Sequence, residues 1–238
     1  MQQKKIAYTF DYPVAVRAAE QQRSIFWTPD EIDVEKDIQD LKVNLTEAEA
    51  HGVITTLKLF TMTELVAGNE YWGKRVMRMF PRPDINMMAN AFSFFELNVH
   101  APFYNAINEA LMLNTDEFYL SYLDTPVLAD RMAFIEAAVT SKDDLLSLSV
   151  FTMVEGCSLY SAFGFLLHFQ AKGKNKIKNI CSGIKFSTRD ENLHSEGGAW
   201  LFKTLLAEKQ EAGEINTEEL ASLLRAITEA SEQLRQHE

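Results

Sequence analysis

The sequence is poor in the residues that typify disulfide-stapled or fibrous proteins, with 2 cysteines, 6 prolines and 10 glycines among 238 residues. Cys157 and Cys181 each lie in an apolar helical pattern, so they fit buried free thiols in a reducing compartment better than a disulfide framework. Basic residues are also scarce: 23 Lys and Arg against 34 Asp and Glu give a formal net charge of −11. Nucleic-acid binding depends mainly on Lys and Arg that neutralise phosphates, so we expect no nucleic-acid partner.

The sequence also lacks an apolar run of signal-peptide length at its N-terminus, which reads MQQKKIAYTFDYP, and we expect a cytoplasmic protein. One segment, 145–171, has the length and composition of a membrane span, because Glu155 is its only carboxylate, lysine or arginine. Serines and threonines dilute this segment, and no neighbouring segment offers a second span. We therefore predict a helix enclosed by other helices, and no membrane partner.

Apolar residues recur at steps of three and four through most of the chain, and no segment shows the alternation typical of a strand. This pattern predicts an all-α protein, most simply a bundle of long helices, and no linker-like run divides residues 1–238 into separate domains. Predicted helices cover about 46–72, an apolar stripe from 85 to 111, a segment that starts at Pro126, residues 144–171, about 174–209 and a final amphipathic helix over 216–236.

Capping motifs mark two of these helix starts. Thr46 with Glu49 three residues later forms a capping box, and Asn216 with Glu219 begins the last helix in the same way. Pro126 suits the first turn of its helix. Residues 1–45 contain no such helical pattern, and we expect them to be irregular and to wrap around the rest.

Four of the predicted helices carry charged residues on their apolar stripes. Each stripe includes one glutamate, and two stripes add a histidine; the set is Glu64, Glu96, His100, Glu155, Glu191 and His194. An isolated buried carboxylate costs several kcal/mol, and no lysine or arginine lies on these stripes to balance four of them. Two divalent cations would balance them, with the two imidazoles as neutral donors. This donor set is typical of ferritin-like bundles with a di-metal carboxylate site, and it suits iron or manganese.

Each of these residues has an ordinary explanation when it is considered alone. Glu64 could be a solvated helix residue, Glu155 could be a hydrogen-bonded core acid, and a single Glu/His pair is more often an exposed side-chain pair. That all six face inward on four separate helices favours the di-metal site.

Several motifs, in this order along the chain, resemble those of the small, radical-generating subunit of class I ribonucleotide reductase. They are FWTPDEI at 26–32, LKLFTMTELVAGNE at 57–70, HAPFY at 100–104, VEGCSLYSAF at 154–163 and TRDENLH at 188–194. The resemblance extends from about Ser24 to about Ala207. It implies a ferritin-like bundle in which the same six residues bind two metal ions, most simply two irons, with manganese and iron as the alternative.

The resemblance also implies roles for three further residues. Tyr104 aligns with the tyrosine that holds the stable radical in many members of the family. Trp27 and Asp190 align with the tryptophan and aspartate that begin the electron and proton path to the large subunit. The implied function is activation of O2 to form a tyrosyl radical, which a separate large (alpha) subunit uses to reduce ribonucleotides to deoxyribonucleotides. A homodimer is implied as well.

The sequence departs from the family pattern in three ways. Many relatives have aspartate at the position of Glu64. The first Glu/His pair is usually three residues apart, whereas His100 follows Glu96 by four, so we predict a π-bulge between Glu96 and Tyr104. The usual C-terminal docking tail with its tyrosine is not recognisable, since the last tyrosine is Tyr160. We expect either a truncated chain or a different mode of docking and radical exit.

Two other functions use the same donor set. One is a ferritin-like oxidase or oxygenase that acts without a large subunit, and the other is an iron-binding or storage bundle. Neither requires Trp27, Asp190 or Tyr104, so these three residues favour the reductase subunit.

Overall fold

Helices form the regular structure of this protein in the computed structural model, which describes residues 1–237. No β-strand occurs within that range, so the all-α prediction is confirmed. In chain order the helices are α1 (Pro13–Ser24), α2 (Glu47–Leu65), α3 (Pro83–Phe95), α4 (Asp116–Leu120), α5 (Pro126–Thr140), α6 (Asp144–Met153), α7 (Lys178–Glu211) and α8 (Thr217–Gln236).

Three of these helices continue without a break into π-helical segments, in which the turn is one residue wider. α2 continues as Val66–Val76, α3 as Glu96–His100 and α6 as Val154–Ser158. Regular helix then resumes over Met77–Met79, Ala101–Ala110 and Leu159–Leu167. The predicted long helices are therefore present, and these three are widened close to a glutamate of the predicted site, whereas α7 is regular throughout.

The N-terminal segment is not wholly irregular, contrary to our expectation, because α1 is a 12-residue helix. Its buried face consists of Ala15, Ala18, Ala19 and Gln22 at helical spacing, and it packs against α3. Three alanines and a glutamine make a weak apolar stripe, which is why periodicity did not reveal the helix. The last helix, α8, lies close to its predicted bounds and starts with the predicted capping box at Asn216.

The segment after α1 fixes the start of α7. Asp40 accepts a hydrogen bond from the backbone N–H of Ile177 at 2.8 Å, and Asp37 accepts one from Ile180 at 2.6 Å. Ile177 has a left-handed backbone with φ of 44°, so the helix begins at Lys178 rather than near 174. These two carboxylates satisfy orphan donors at the N-terminus of the helix that carries Glu191 and His194.

The buried apolar side chains form two clusters. One includes Trp72, Phe92 and Phe151, and the other includes Phe60 and Phe103. On each of the helices α2, α3, α6 and α7, the predicted site residues lie where the chain passes from one cluster to the other. The polar cluster therefore divides the core into two apolar halves, each of which shields it from water.

The continuous helix Asp144–Gln170 is the one candidate membrane span by length and composition in the described part of the chain. It packs against α7 and carries the buried Glu155 into the core. These contacts are those of a core helix. Within it, Cys157 is exposed rather than buried as we expected, because it lies on the outer face of the wide turn; Cys181 is buried, and both thiols are free.

Candidate metal centre

Four helices bring the six predicted ligands together at the centre of the core. α2 contributes Glu64, the π-helical part of α3 contributes Glu96 and His100, that of α6 contributes Glu155, and α7 contributes Glu191 and His194. Each is at most 1% exposed. Six charged or polar side chains thus meet in a space that bulk water does not reach.

Their donor atoms fall into two overlapping groups, each with atoms within 4.8 Å of one another. One group contains Glu64 and His100, the other contains Glu155 and His194, and both include Glu96 and Glu191. Each group thus has one imidazole and one carboxylate of its own, and the two groups share two further carboxylates. Such an arrangement can hold two adjacent metal ions. The structure therefore provides a di-metal site.

Many of these donor atoms have no hydrogen-bond partner within residues 1–237, namely Glu64 Oε1, Glu96 Oε1, Glu155 Oε2, both Glu191 oxygens and His194 Nδ1. His194 Nδ1 lies 2.6 Å from Glu96 Oε1, yet the pair lacks hydrogen-bond geometry. Buried polar atoms in folded proteins almost always have a partner. Here several lone pairs point toward one another with no donor between them. This arrangement is suited to binding cations.

The electrostatics of the metal-free cluster are uneven. Burial, reinforced by the charges of Glu96 and Glu191, raises the pKa of Glu64 well above its usual value, and burial does the same for Glu155. Burial would also raise the pKa of Glu96, but the neighbouring imidazoles of His194 and His100 outweigh it and lower that pKa. Without metal, the surroundings therefore favour the ionised form of Glu96 and disfavour that of Glu64.

The two imidazoles show the complementary behaviour. Burial disfavours their charged forms, yet Glu96 and the surrounding carboxylates raise the pKa of His100 well above its usual value and that of His194 to about 10. Metal binding requires neutral imidazoles and ionised carboxylates, so it must displace these protons.

A wide turn allows Glu96 and His100 to reach the same site. The backbone N–H of Ala101 donates to the carbonyl of Glu96, five residues earlier, which is the hydrogen bond of a π-helix. The predicted π-bulge is confirmed. A second such bond runs from the backbone N–H of Leu159 to the carbonyl of Val154, beside Glu155. This wide turn could not be predicted from the sequence, because Glu155 has no histidine partner whose spacing would reveal it.

Trp27 and Asp190 lie next to the cluster, as the resemblance implied. The Trp27 indole Nε1 donates to Asp190 Oδ2 at 2.7 Å, and His100 Nε2 lies 3.1 Å from the same oxygen. Trp27 is 2% exposed and Asp190 is fully buried. One carboxylate therefore connects a ligand imidazole to a buried indole.

Tyr104 lies one helical turn after His100, with 6.4 Å between the two ring centroids. Its ring packs against Phe60 and Phe103, and its hydroxyl has no hydrogen-bond partner in the described range. Burial, followed by the charge of Glu64, raises the pKa of Tyr104 well above its usual value. The phenol is thus held protonated in a buried, aromatic pocket beside the cluster.

Two residues that the sequence pattern did not reveal contact the ligands directly. Trp72 donates from its indole Nε1 to Glu155 Oε1 at 2.7 Å, which leaves Oε2 to face the centre. Gln22 on α1 lies 3.0 Å from His194 Nε2. Gln22 is the one polar residue on the alanine face of α1, so its helical spacing could have indicated that it is buried. No comparable sequence pattern indicated Trp72.

Known proteins of similar sequence align with most of this chain. The chain is 24% identical over 218 residues to the probable ribonucleoside-diphosphate reductase small subunit 376L of Invertebrate iridescent virus 6, an alignment covering 84% of this chain and 59% of that protein. It is 27% identical over 209 residues to ribonucleoside-diphosphate reductase subunit beta of Halalkalibacterium halodurans, covering 84% and 58%. The chain thus spans under two thirds of the length of these relatives.

Solved structures show the same fold. The dimanganese(II)-NrdF of Streptococcus sanguinis superposes with a TM-score of 0.82 at 20% identity, covering 99% of this chain and 80% of that chain. The ribonucleotide reductase R2 subunit of Clostridium botulinum superposes with a TM-score of 0.81, also at 20% identity, covering 95% and 72%. At these identities the likeness establishes the helical-bundle fold alone.

The family model described as ribonucleotide reductase, small chain, matches residues 5–236, which is nearly the whole sequence. The chain therefore belongs to the ribonucleotide reductase small-chain family.

Proposed function

We propose that this chain is the radical-generating small subunit of a class I ribonucleotide reductase. The observation that carries the proposal is the hydrogen-bonded connection from His100 through Asp190 to Trp27, with Tyr104 buried so that its ring centroid lies 6.4 Å from that of the same imidazole. A metal-storage bundle or an enzyme that acts on its own substrate needs neither a buried phenol nor a tryptophan connected to a ligand. The arrangement supports a protein that stores an oxidising equivalent and passes it on.

The six cluster residues would hold the metal ions in two positions. Glu64 and His100 would complete one position, Glu155 and His194 the other, and Glu96 with Glu191 would bridge them, as their shared proximity suggests. Once bound, two iron or manganese ions would supply the activation of O2 that the protein alone lacks. We propose two irons, with manganese and iron as the alternative, since oxygen-rich ligation suits both metals.

Tyr104 would serve as the side chain that is oxidised. Loss of one electron and of the phenolic proton from Tyr104 would leave a neutral radical in a pocket formed by Phe60, Phe103 and their neighbours. The complete burial of the Tyr104 side chain would protect this radical from quenching.

Trp27 and Asp190 would carry the oxidising equivalent away from the centre. Asp190 orients the His100 ring through its outer nitrogen and accepts the indole N–H of Trp27, so an electron can leave Trp27 while its proton stays in a hydrogen bond. The recipient would be a separate large (alpha) subunit that reduces ribonucleotides to deoxyribonucleotides. We further propose a cytoplasmic homodimer, by analogy with the family.

The test is electron paramagnetic resonance after aerobic loading with iron, or with manganese and iron, together with metal analysis. We expect two metal ions per chain and a tyrosyl signal that is lost in Tyr104→Phe. Tyr71→Phe is the matched control, because Tyr71 is also fully buried and its hydroxyl also lacks a partner in the described range. The signal should persist in that variant.

Turnover of ribonucleotides should then require a candidate large subunit. A protein that binds fewer than two metal ions, or a tyrosyl signal that survives Tyr104→Phe, would overturn the proposal. Oxidation of a small substrate by the chain alone would favour the oxidase or oxygenase function instead.

A further inference from the structure

Gln22 lies outside the four ligand helices but contacts the site from α1. It is fully buried, and its side chain touches both sides of the cluster. Its amide nitrogen Nε2 donates to Asp190 Oδ1 at 3.1 Å, and its oxygen Oε1 lies 3.0 Å from His194 Nε2. The two partners are 168 and 172 residues away in sequence.

The orientation of this amide follows from hydrogen-bond chemistry. The Asp190 carboxylate can only accept, so the NH2 group of Gln22 must face it, and the carbonyl oxygen of Gln22 must then face His194. A carbonyl oxygen accepts, so His194 must carry a proton on Nε2. The lone pair of the neutral His194 ring is then on Nδ1, the atom that lies 2.6 Å from Glu96 and faces the cluster.

The same carboxylate orients the other imidazole. Asp190 Oδ2 is 3.1 Å from His100 Nε2, so that ring also presents Nδ1 to the cluster. Asp190 thus acts on His100 directly and on His194 through Gln22. One amide and one carboxylate link the outer nitrogens of both predicted ligand imidazoles.

We propose that Gln22 is a positioning residue for the metal ion held by Glu155 and His194: it fixes the tautomer and the ring orientation of His194. The proposal rests on the di-metal site of the proposed function but not on radical transfer. In this proposal, the role of α1 is to hold Gln22 against α7. Partners that orient metal-ligating histidines typically contribute 10- to 100-fold to metal affinity.

The effect should be selective for one of the two positions. Replacing Gln22 with methionine keeps the length and approximate volume of the side chain but removes both hydrogen bonds. His194 then loses the acceptor that fixes its tautomer, whereas His100 keeps its direct contact with Asp190. We expect binding of one Mn²⁺ to weaken about 10- to 100-fold while the other stays within a few-fold of wild type.

The experiment is titration of the metal-free protein with Mn²⁺, followed by electron paramagnetic resonance. In wild type, we expect two ions and the broadened signal of a coupled pair. At intermediate Mn²⁺ concentrations, Gln22→Met should instead show the six-line signal of a single bound ion. Gln21→Met is the matched control, since Gln21 is the preceding residue of the same helix and is exposed; it should behave as wild type.

A second variant separates the acceptor role from a general packing role. Gln22→Leu differs in shape from Gln22→Met but likewise offers His194 Nε2 no acceptor, so we expect the same selective weakening of one Mn²⁺ in both variants. Circular dichroism and the melting temperature of each metal-free variant report whether the bundle is intact.

The outcomes are distinct. Binding of both ions in Gln22→Met with wild-type affinities would overturn the inference while leaving the di-metal site in place. Equal weakening of both ions, or a loss that differs between Gln22→Met and Gln22→Leu, would also overturn it. Failure of the wild-type protein to bind two ions would instead overturn the proposed function.

Discussion

Substitution of two neighbouring carboxylates of the cluster should affect the stability of the metal-free protein to very different extents. Glu96 is paired with both imidazoles: its oxygens lie 2.8 Å from His100 Nδ1 and 2.6 Å from His194 Nδ1. These imidazoles lower the pKa of Glu96 despite its burial, whereas burial raises that of Glu64. In the absence of metal, the cluster therefore favours an ionised Glu96 between the two imidazoles and a protonated Glu64.

The expected magnitudes follow from this difference. Glu96→Gln removes the charge that compensates two buried imidazolium groups, and loss of one partner of a buried ion pair costs about 3–5 kcal/mol. For a chain of this size that corresponds to a fall in melting temperature of roughly 6–20 °C. Glu64→Gln replaces a neutral acid with a neutral amide of the same shape, so the free energy of unfolding should change by about 1 kcal/mol or less.

The assay is urea unfolding at pH 7 in the presence of a chelator, followed by circular dichroism. Each variant is the control for the other, because both replace a fully buried glutamate with glutamine. Equal destabilisation by the two substitutions, or a larger loss in Glu64→Gln, would refute the assigned charge distribution. Addition of Mn²⁺ at 100 times its dissociation constant should stabilise wild type by about 2.7 kcal/mol for each ion bound, and both variants by less at the same Mn²⁺ concentration.

Two further predictions concern residues around the site. Gly183→Ala should destabilise the protein by about 1–3 kcal/mol, because the new methyl group would overlap the buried Phe103 ring. At Gly164 nothing lies within 4 Å of an added methyl group, so Gly164→Ala should stabilise the helix by up to about 1 kcal/mol in thermal unfolding. Labelling with a thiol reagent at pH 8 should modify the exposed Cys157 quickly and Cys181 only on unfolding, since burial raises the pKa of the Cys181 thiol to about 11. A destabilised Gly164→Ala, or fast modification of two thiols in the folded protein, would contradict these expectations.

The helices and the cluster were largely predictable because both depend on local periodicity. Apolar spacing of three and four residues defines the buried face of a helix, and a glutamate on that face is visible in the sequence. The four-residue interval between Glu96 and His100 indicated the wide turn, which the structure contains. α1 escaped prediction because its buried face is made of alanines.

The sequence alone therefore determined the all-α fold and the set of charged residues that share the core. Only the tertiary structure decided which donor atoms meet: that Glu96 and Glu191 are the shared carboxylates, and that Gln22 lies between Asp190 and His194. The physical reason is that a helix face is fixed by neighbours within a turn or two. Contacts between residues more than 160 positions apart depend on how the helices pack.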